Sequence, residues 1–562
     1  MTRSASRTAA ARGIPFTSSP VLAVKLPVWR SRLLLFAIFV AFLALAARAL
    51  WLQALSTEFL QKQGASRYAR TIVLPATRGK ITDRNGQVLA SSLPVRAIWA
   101  IPEDVARAPQ AKLSKLASLL DMSERELKKR LDIDRNFVYL KRQVEPDVTE
   151  QVLKLDIAGI GTQREYKRYY PDGEVMAHVL GFTNVEDAGQ EGVELAFQKT
   201  LAGTTGSRRV IKDRLGRIVE DIESVRLPHD GKDLALSIDR KIQYIAFSAL
   251  KDAVEKHKAK AGGIVVIDVH SGEILALANL PSYNPNDRST LTGARLRNRV
   301  LTDTFEPGST MKPFTAALAL ESGLATPDTV IETAGGRLTI GRRTITDTKD
   351  HGNLSLHDVI AKSSNVGTGR LAMQMKPERM WEMFTSVGFG QAPKLGFPGA
   401  VAGRLRPPGS WRLIEQVTMS YGYGLSTSLI QIAHAYLVFA RDGDMIPLSL
   451  QKTADQPIGR RVLSPKTARA VRLMLEGAVS PEGTAPHAQV PGFRVGGKTG
   501  TAHKVYNGQY TNKYVSSFVG LAPISNPRII VAVMIDEPTS GGHFGGQVAA
   551  PVFGTVVGNA LR

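Results

Sequence analysis

The chain has 562 residues, 43% of them hydrophobic and 22% charged, which suits two or three domains with real cores and excludes disorder as the main state. It has no cysteine, so disulfides and thiolate metal sites are excluded, and its ten histidines show no His-Glu-x-x-His spacing; no metal and no cofactor is expected. A net charge of +22 fits anionic lipid or an acidic polymer, but no long Lys/Arg run with interleaved aromatics is present, so nucleic acid is not expected as a partner.

In chain order, residues 1–32 carry Arg3, Arg7, Arg12, Lys25, Arg30 and Arg32 and no acidic residue. Residues 33–47 are uncharged and apolar, and past Arg48 the pattern continues through Ala49, Leu50, Trp51 and Leu52. That is about twenty residues, enough to cross a hydrocarbon core of about 30 Å. The segment 33–54 is therefore predicted to be a transmembrane helix, with residues 1–32 a basic cytoplasmic tail and everything after about residue 55 outside. A cleaved signal peptide has a similar profile, but the run ends in Arg-Ala-Leu-Trp-Leu-Gln rather than at a small-residue cleavage site.

Residues 55–228 read as a separate, strand-rich pedestal with turn signals at Asp83-Arg84-Asn85-Gly86 and Pro171-Asp172-Gly173. Within it, 109–131 and 148–155 have helical spacing. Residues 78–90 form a strand, turn, strand pattern whose charges read as a structural network, and 208–217 reads as a basic solvated face. The pattern changes after Leu227-Pro228-His229-Asp230-Gly231, and 229–562 reads as a second domain. It opens with a strand at 234–238, a helix at 240–256, and a hairpin of 263–268 and 273–278 about His270-Ser271-Gly272. A mostly helical stretch at 309–480 follows, then strands at 493–503, 516–522 and 528–536 and a helix at 546–561. The fold class is α+β, an antiparallel sheet with helices on both faces.

The chemistry is expected around Ser309-Thr310-Met311-Lys312-Pro313. Pro313 places a helix start nearby, because its ring clashes with the carbonyl four residues back except near the first turn. Ser309 is thus expected at a helix N-terminus, where free NH groups favour a developing negative charge. At i,i+3, Lys312 lies on the same face, within reach as a base. Ser-x-x-Lys alone occurs by chance about twice in a chain of this length. Two further motifs follow in order, Ser363-Ser364-Asn365 and Lys498-Thr499-Gly500-Thr501, the latter after Gly496-Gly497. Ser363 has a second reading as a helix cap.

Ser-x-x-Lys, a Ser-x-Asn triplet and Lys-Thr-Gly are together the signature of penicillin-binding proteins and class A beta-lactamases, here with Ser in place of the usual middle Asp. Over essentially its whole length the chain resembles the class B penicillin-binding proteins, membrane-anchored peptidoglycan transpeptidases. Residues 78–90 and 164–192 are similar to motifs of that family's pedestal. Arg297-Asn298-Arg299, Phe305-Glu306-Pro307-Gly308 and Met419-Ser420-Tyr421-Gly422-Tyr423-Gly424 resemble the septal, division-specific branch, whereas the elongation-specific branch usually has Pro-Pro-Gly-Ser before the lysine.

The resemblance implies D,D-transpeptidation with Ser309 as nucleophile and Lys312 as a base that must be neutral. It implies that Ser363 and Asn365 relay a proton and hold the substrate amide, and that Lys498, Thr499, Gly500 and Thr501 bind the terminal carboxylate. The backbone NH groups of Ser309 and Thr501 are implied as the oxyanion hole. Further implications are stem peptides and beta-lactams as ligands, a SEDS-family glycosyltransferase and other divisome membrane proteins as partners, and a single pass through the cytoplasmic membrane with the catalytic domain in the periplasm. Three rivals differ in kind. A beta-lactamase needs a second base for deacylation, and none is identifiable in a class A-like loop. A penicillin sensor needs an inner signalling domain, where this chain has about thirty residues without a domain pattern. A non-catalytic scaffold would lack catalytic side chains, which are all present.

Overall fold

The structure is a computed structural model that describes residues 27–52, 69–132, 137–212, 218–289 and 291–562. The backbone separates into two compact units, 1–74 with 207–227, and 75–206 with 228–562. The first unit contains a 23-residue helix, Val28–Leu50, every residue of which is exposed. At 1.5 Å per residue it is about 34 Å long, sufficient for a bilayer core. It begins five residues before the predicted apolar segment and takes in Arg30 and Arg32; residues 53–54 lie outside the described residues. Strands Ala69–Leu74, Gly206–Lys212 and Ile218–Arg226 form a three-stranded sheet in that order. Half of the basic stretch 208–217, residues 213–217, lies outside the described residues.

In the second unit, strands β1 (Ile81–Thr82), β2 (Val88–Ala100), β3 (Val138–Val144) and β4 (Ile160–Tyr169) build the pedestal sheet, with β3 and β4 both pairing β2. Helices α1 (Gln110–Leu119), α2 (Glu124–Leu131) and α3 (Pro146–Leu153) cover one face, packing Leu113, Leu116 and Val152 on Ile98 and Leu140. They match the helical spacing of the sequence, and α2 begins where the Ser123 hydroxyl accepts from Glu126 N. The charges around 78–90 do form a network. Arg78 Nε and Arg168 Nε each lie 2.6 Å from a different oxygen of Glu194, and Arg78 also donates to Gln198 Oε1 and to the carbonyls of Asp187 and Glu194.

Strand β5 (Leu234–Ala235) pairs in parallel with β1. It has two residues rather than the expected five: Leu236 N still donates to Thr82 O, but Ser237 N turns to Leu450 O, and the Asp239 side chain then caps α4 (Arg240–Lys256). The main sheet comprises β6 (Ala261–Asp268), β7 (Ile274–Leu280), β10 (Gly496–Tyr506), β11 (Gln509–Ala522) and β12 (Ile529–Asp536), in the order β7-β6-β12-β11-β10, antiparallel throughout. Ile264, Val266, Val531 and Val533 face α4 and α9 (Ala550–Ala560); Val265, Ile267, Ala532 and Met534 face α5 (Lys312–Glu321) and α7 (Leu429–Ala435). Both faces are covered, which is why β6 and β12 read as continuous apolar runs.

Three expectations need correction. The stretch 309–480 is not uniformly helical: between α5 and α6 (Asn365–Met373), β8 (Arg337–Ile340) and β9 (Arg343–Thr346) form a hairpin. Its two-residue loop starts at Gly341, φ +60°, the conformation a Gly-first hairpin turn requires. The 493–503 and 516–522 strands run on to meet in one long hairpin around Asn507-Gly508. The last helix is broken near Val548, and α9 restarts with Pro551 in its first turn, where the missing N–H costs nothing.

Candidate active site

Ser309 does not sit at the N-terminus of an α-helix but in a 3-10 turn, Gly308–Met311, that leads directly into α5. Pro313 lies in the first turn of α5, as its chemistry requires, and Lys312 to Ala319 are all buried. Phe314 packs edge-on against Phe389 and Tyr436, and the Tyr436 hydroxyl donates to Thr310 O at 2.8 Å, tying the Ser309 turn to the core. Gly308 adopts φ +57°, and Gly422 passes so close that a Cβ on it would lie 2.1 Å from Gly308 O.

Lys312 and Lys498 are both fully buried and meet on one hydroxyl. Lys498 Nζ is 2.8 Å and Lys312 Nζ 3.1 Å from Ser363 Oγ, and Lys312 Nζ is 2.5 Å from Ser363 O. Both hydrogen bonds of Lys312 end on Ser363. A hydroxyl accepts two hydrogen bonds and donates one, so with both lysines donating, the Ser363 proton is left for a third group. Burial first, then the neighbouring Lys498 charge, push the Lys312 ammonium well below its ordinary value, against an opposing pull from Asp347; burial takes Lys498 down to about 7. Burial thus disfavours the charged form of both amines.

Ser363 is held at φ +63°, a left-handed conformation uncommon outside glycine, and it is not the helix cap. Ser364 is: its hydroxyl accepts from Gly367 N at the start of α6. The turn is gripped by Asp347, at the end of β9, whose carboxylate accepts from Ser364 Oγ at 2.6 Å, Asn365 N at 2.5 Å and Val366 N at 3.0 Å. Asn365 Nδ2 donates to Thr346 O at 3.0 Å, on the same hairpin. Sequence reasoning missed Asp347, since the hairpin was hidden in a stretch read as helical; its only signal is the Gly341 turn.

Strand β10 is the edge of the main sheet, so its outer main-chain groups are open to an added strand. Thr499 and Thr501 alternate onto one side. Thr499 Oγ1 donates to Thr484 Oγ1 at 3.2 Å, and Thr501 Oγ1 accepts from Gly545 N at 3.0 Å. A Cβ on Gly308 would lie 3.6 to 3.7 Å from Thr501 O and N, so the Ser309 turn and β10 adjoin there. The β10 glycines have a reason other than substrate approach. A Cβ on Gly500 would lie 2.4 Å from Ser517 Oγ and 2.9 Å from Pro307 O, so the protein itself needs the space. Lys312, Ser363 and Lys498 are thus joined by hydrogen bonds, Thr499 lies beside Lys498 Nζ, Asn365 starts the helix after Ser363, and the Gly308 turn that carries Ser309 adjoins Thr501.

Residues 262–558 match the penicillin binding protein transpeptidase domain, and residues 73–236 match the penicillin-binding protein dimerisation domain. The chain is 44% identical to the probable peptidoglycan D,D-transpeptidase PenA of Neisseria gonorrhoeae over 95% of its own length and 92% of that protein. It is 41% identical to the peptidoglycan D,D-transpeptidase FtsI of Escherichia coli K12 over the same shares. The transpeptidase domain of penicillin-binding protein 3 from Burkholderia pseudomallei, a solved structure, is 57% identical, covering 58% of this chain and 95% of that one with a TM-score of 0.54. The chain therefore belongs to the penicillin-binding protein transpeptidases with a dimerisation domain, the class B architecture.

Proposed function

We propose that the protein is a serine peptidoglycan D,D-transpeptidase of the septal wall, anchored by the 28–50 helix, and that Ser309, Lys312, Ser363, Asn365, Lys498 and Thr499 to Thr501 carry its reaction. The observation that supports this best is the pair of buried lysines joined on Ser363 Oγ beside the Ser309 turn. Neutral Lys312 takes the Ser309 proton as Oγ attacks the carbonyl of the penultimate D-Ala. The oxyanion is held by the Ser309 and Thr501 NH groups, each such donor typically being worth about 2.7 to 4 kcal/mol. The bond to the terminal D-Ala breaks, and Ser363 passes the proton from Lys312 to the leaving amine. An amine of a neighbouring stem then attacks the ester, and Ser309 Oγ regains a proton. Lys498, Thr499 and Thr501 hold the terminal carboxylate, and Gly500 lets β10 approach the nucleophile turn.

In this reading the N-terminus lies in the cytoplasm, and the sites 309–501 face the periplasm. The partner is a membrane-embedded SEDS-family glycosyltransferase, with other divisome membrane proteins. Sharing one bilayer gives high effective concentration without strong lateral contacts. The residues 419–424 and the FtsI relative support the septal role over an elongation role. Mass spectrometry of the penicillin-treated protein tests the core of the reading: the adduct is expected on the peptide containing Ser309 and absent from Ser309→Ala. An adduct elsewhere overturns it.

A further inference from the structure

The β8–β9 hairpin has one buried and one open face. Leu338 and Ile345 pack with Val366, Val417 and Tyr421, while Arg337, Thr339, Thr344 and Thr346 are exposed on the other side. Across the two strands the Thr339 and Thr344 hydroxyls are 3.1 Å apart, and Arg337 stands opposite Thr346. Arg342 and Arg343, also exposed, lie at the turn.

Among the described residues none of these three arginines is in an ion pair. Arg370 of α6, by contrast, is matched by Glu332 at 3.3 Å. The two carboxylates that follow the hairpin are occupied as well. Asp347 holds the turn at 364–366, and Asp350 accepts from Gly335 N at 3.1 Å and Gly352 N at 2.9 Å. A solvated arginine needs no partner, so these charges gain meaning from where the hairpin leads.

It leads to the Ser363 turn, because Thr346 O accepts from Asn365 Nδ2 and Asp347 is the next residue. Paired strands lie about 5 Å apart, so Arg337 is one strand away from that contact. Arg343 is three residues, about 10 Å, farther out. In the proposed reaction Ser363 hands a proton to the amine that leaves, and the second half retraces that path. The acceptor nitrogen bonds to the ester carbonyl, the bond to Ser309 Oγ breaks, and one amine proton returns to Oγ through Ser363 and Lys312. The acceptor amine therefore arrives beside Ser363, and the rest of the acceptor extends over the hairpin that continues outward from this turn.

We propose that the open face of the β8–β9 hairpin binds carboxylates of the acceptor stem peptide, with Arg337, Arg342 and Arg343 as the residues that select it. This rests on the transpeptidase reading of the cleft. Guanidinium groups suit the task, because their planar fork meets both oxygens of a carboxylate. The acceptor rather than the donor is assigned because that reading already places the donor's terminal carboxylate on Lys498, Thr499 and Thr501 of β10.

The test uses the full-length protein in detergent, an acyl-D-Ala thioester as donor, and two acceptor peptides. Each acceptor has one side-chain amine, and the two differ only in whether their carboxyl groups are free or amidated. The readout is how the acyl-enzyme divides between water and acceptor, which does not depend on how fast a variant acylates. The wild type is expected to reach equal division at a concentration about three to ten times lower with the acid than with the amide. Replacing all three arginines by Gln is expected to bring that ratio close to one, and replacing them by Lys to keep most of it. Added salt should shrink the wild-type ratio. A ratio unchanged by the Gln replacements overturns the proposal. So does an equal loss for acid and amide, which marks a role in shape alone, or a loss confined to acylation by the donor. If the wild type takes no acyl group on Ser309, the transpeptidase reading itself fails. If it does, and the two acceptors divide alike or neither is used, only the hairpin assignment fails.

Discussion

The protein buries charge in two places, and in opposite ways. In the pedestal, Arg78 and Arg168 are almost wholly buried, yet each donates to its own oxygen of Glu194, and Gln198 and two carbonyls take up further donors. In the cleft, Lys312 and Lys498 are as deeply buried, but they face each other across Ser363, and Asp347 is the carboxylate that offsets Lys312. The first arrangement keeps its charges by pairing them and so organises structure. The second lowers the proton affinity of both amines, which is what a lysine base requires. Burial alone does not separate the two; the sign of the partner does.

The largest expected effect follows from that contrast. Lys312→Met removes the proposed base and should slow penicillin acylation by about 10² to 10⁴, measured by gel labelling. It also removes one of two like charges and replaces it with a side chain of similar length, so the melting temperature should hold or rise. Glu194→Gln should do the reverse. It leaves two buried guanidinium groups without a carboxylate, a loss of about 3 to 5 kcal/mol in stability, measured by urea unfolding. If Lys312→Met melts lower than Glu194→Gln, the division between a structural and a chemical charge cluster collapses.

Much of this contrast was legible in the sequence. The three motifs carried their order, β6 and β12 showed as continuous apolar runs and α4 as an amphipathic stripe, because a strand covered on both faces or a capped amphipathic helix writes its environment into consecutive residues. The 78–90 charges could be read as a network because they crowd one turn, but Glu194 could not be named from a position more than a hundred residues away. Ser363 left a cap or a catalytic group open, since both need a serine before a helix; the structure assigns the cap to Ser364. The placement of Ser309 at a helix N-terminus was off by one turn, because Pro313 constrains where an α-helix can start and says nothing about a 3-10 turn before it. Asp347 acquires its importance only from chain folding.

A third prediction sharpens the pedestal side. Asp187 O accepts from Arg78, while Asp187 Oδ1 and Arg168 Nη2 are buried without hydrogen bonds. Burial, helped by the Glu194 charge and opposed by the two arginines, raises the Asp187 carboxyl to about 6. Its folded value lies above the unfolded one, so between about pH 4 and pH 6 the native state binds more protons. The Asp187 contribution is therefore most favourable below pH 4, falls as pH rises, and is at its least above pH 6, a change on the order of 2 kcal/mol. Urea unfolding of wild type and Asp187→Asn across this range should show the slope in the first and its loss in the second.

The smallest expected effect probes the carboxylate that partly balances the cleft. Asp347 does two things at once: it accepts three hydrogen bonds that hold the Ser363 to Asn365 turn, and its charge favours the protonated form of Lys312. Asparagine separates them. In Asp347→Asn the amide oxygen can still accept from Asn365 N and Val366 N, and the amide NH₂ can donate to Ser364 Oγ, so the turn is kept while the charge is lost. Lys312 then loses its proton at lower pH, and the rise of penicillin acylation with pH should move towards acid. Asp347 is half-buried, so screening limits the shift to about half a pH unit, or roughly threefold in rate on the acidic limb. Asp347→Ala removes the grip as well and should lower acylation at every pH, because nothing then offsets the cost of Ser363 at φ +63°. If Asn and Ala behave alike, with a common drop and no movement along the pH axis, Asp347 acts through geometry alone. The cleft would then owe its lowered lysines to burial and to each other.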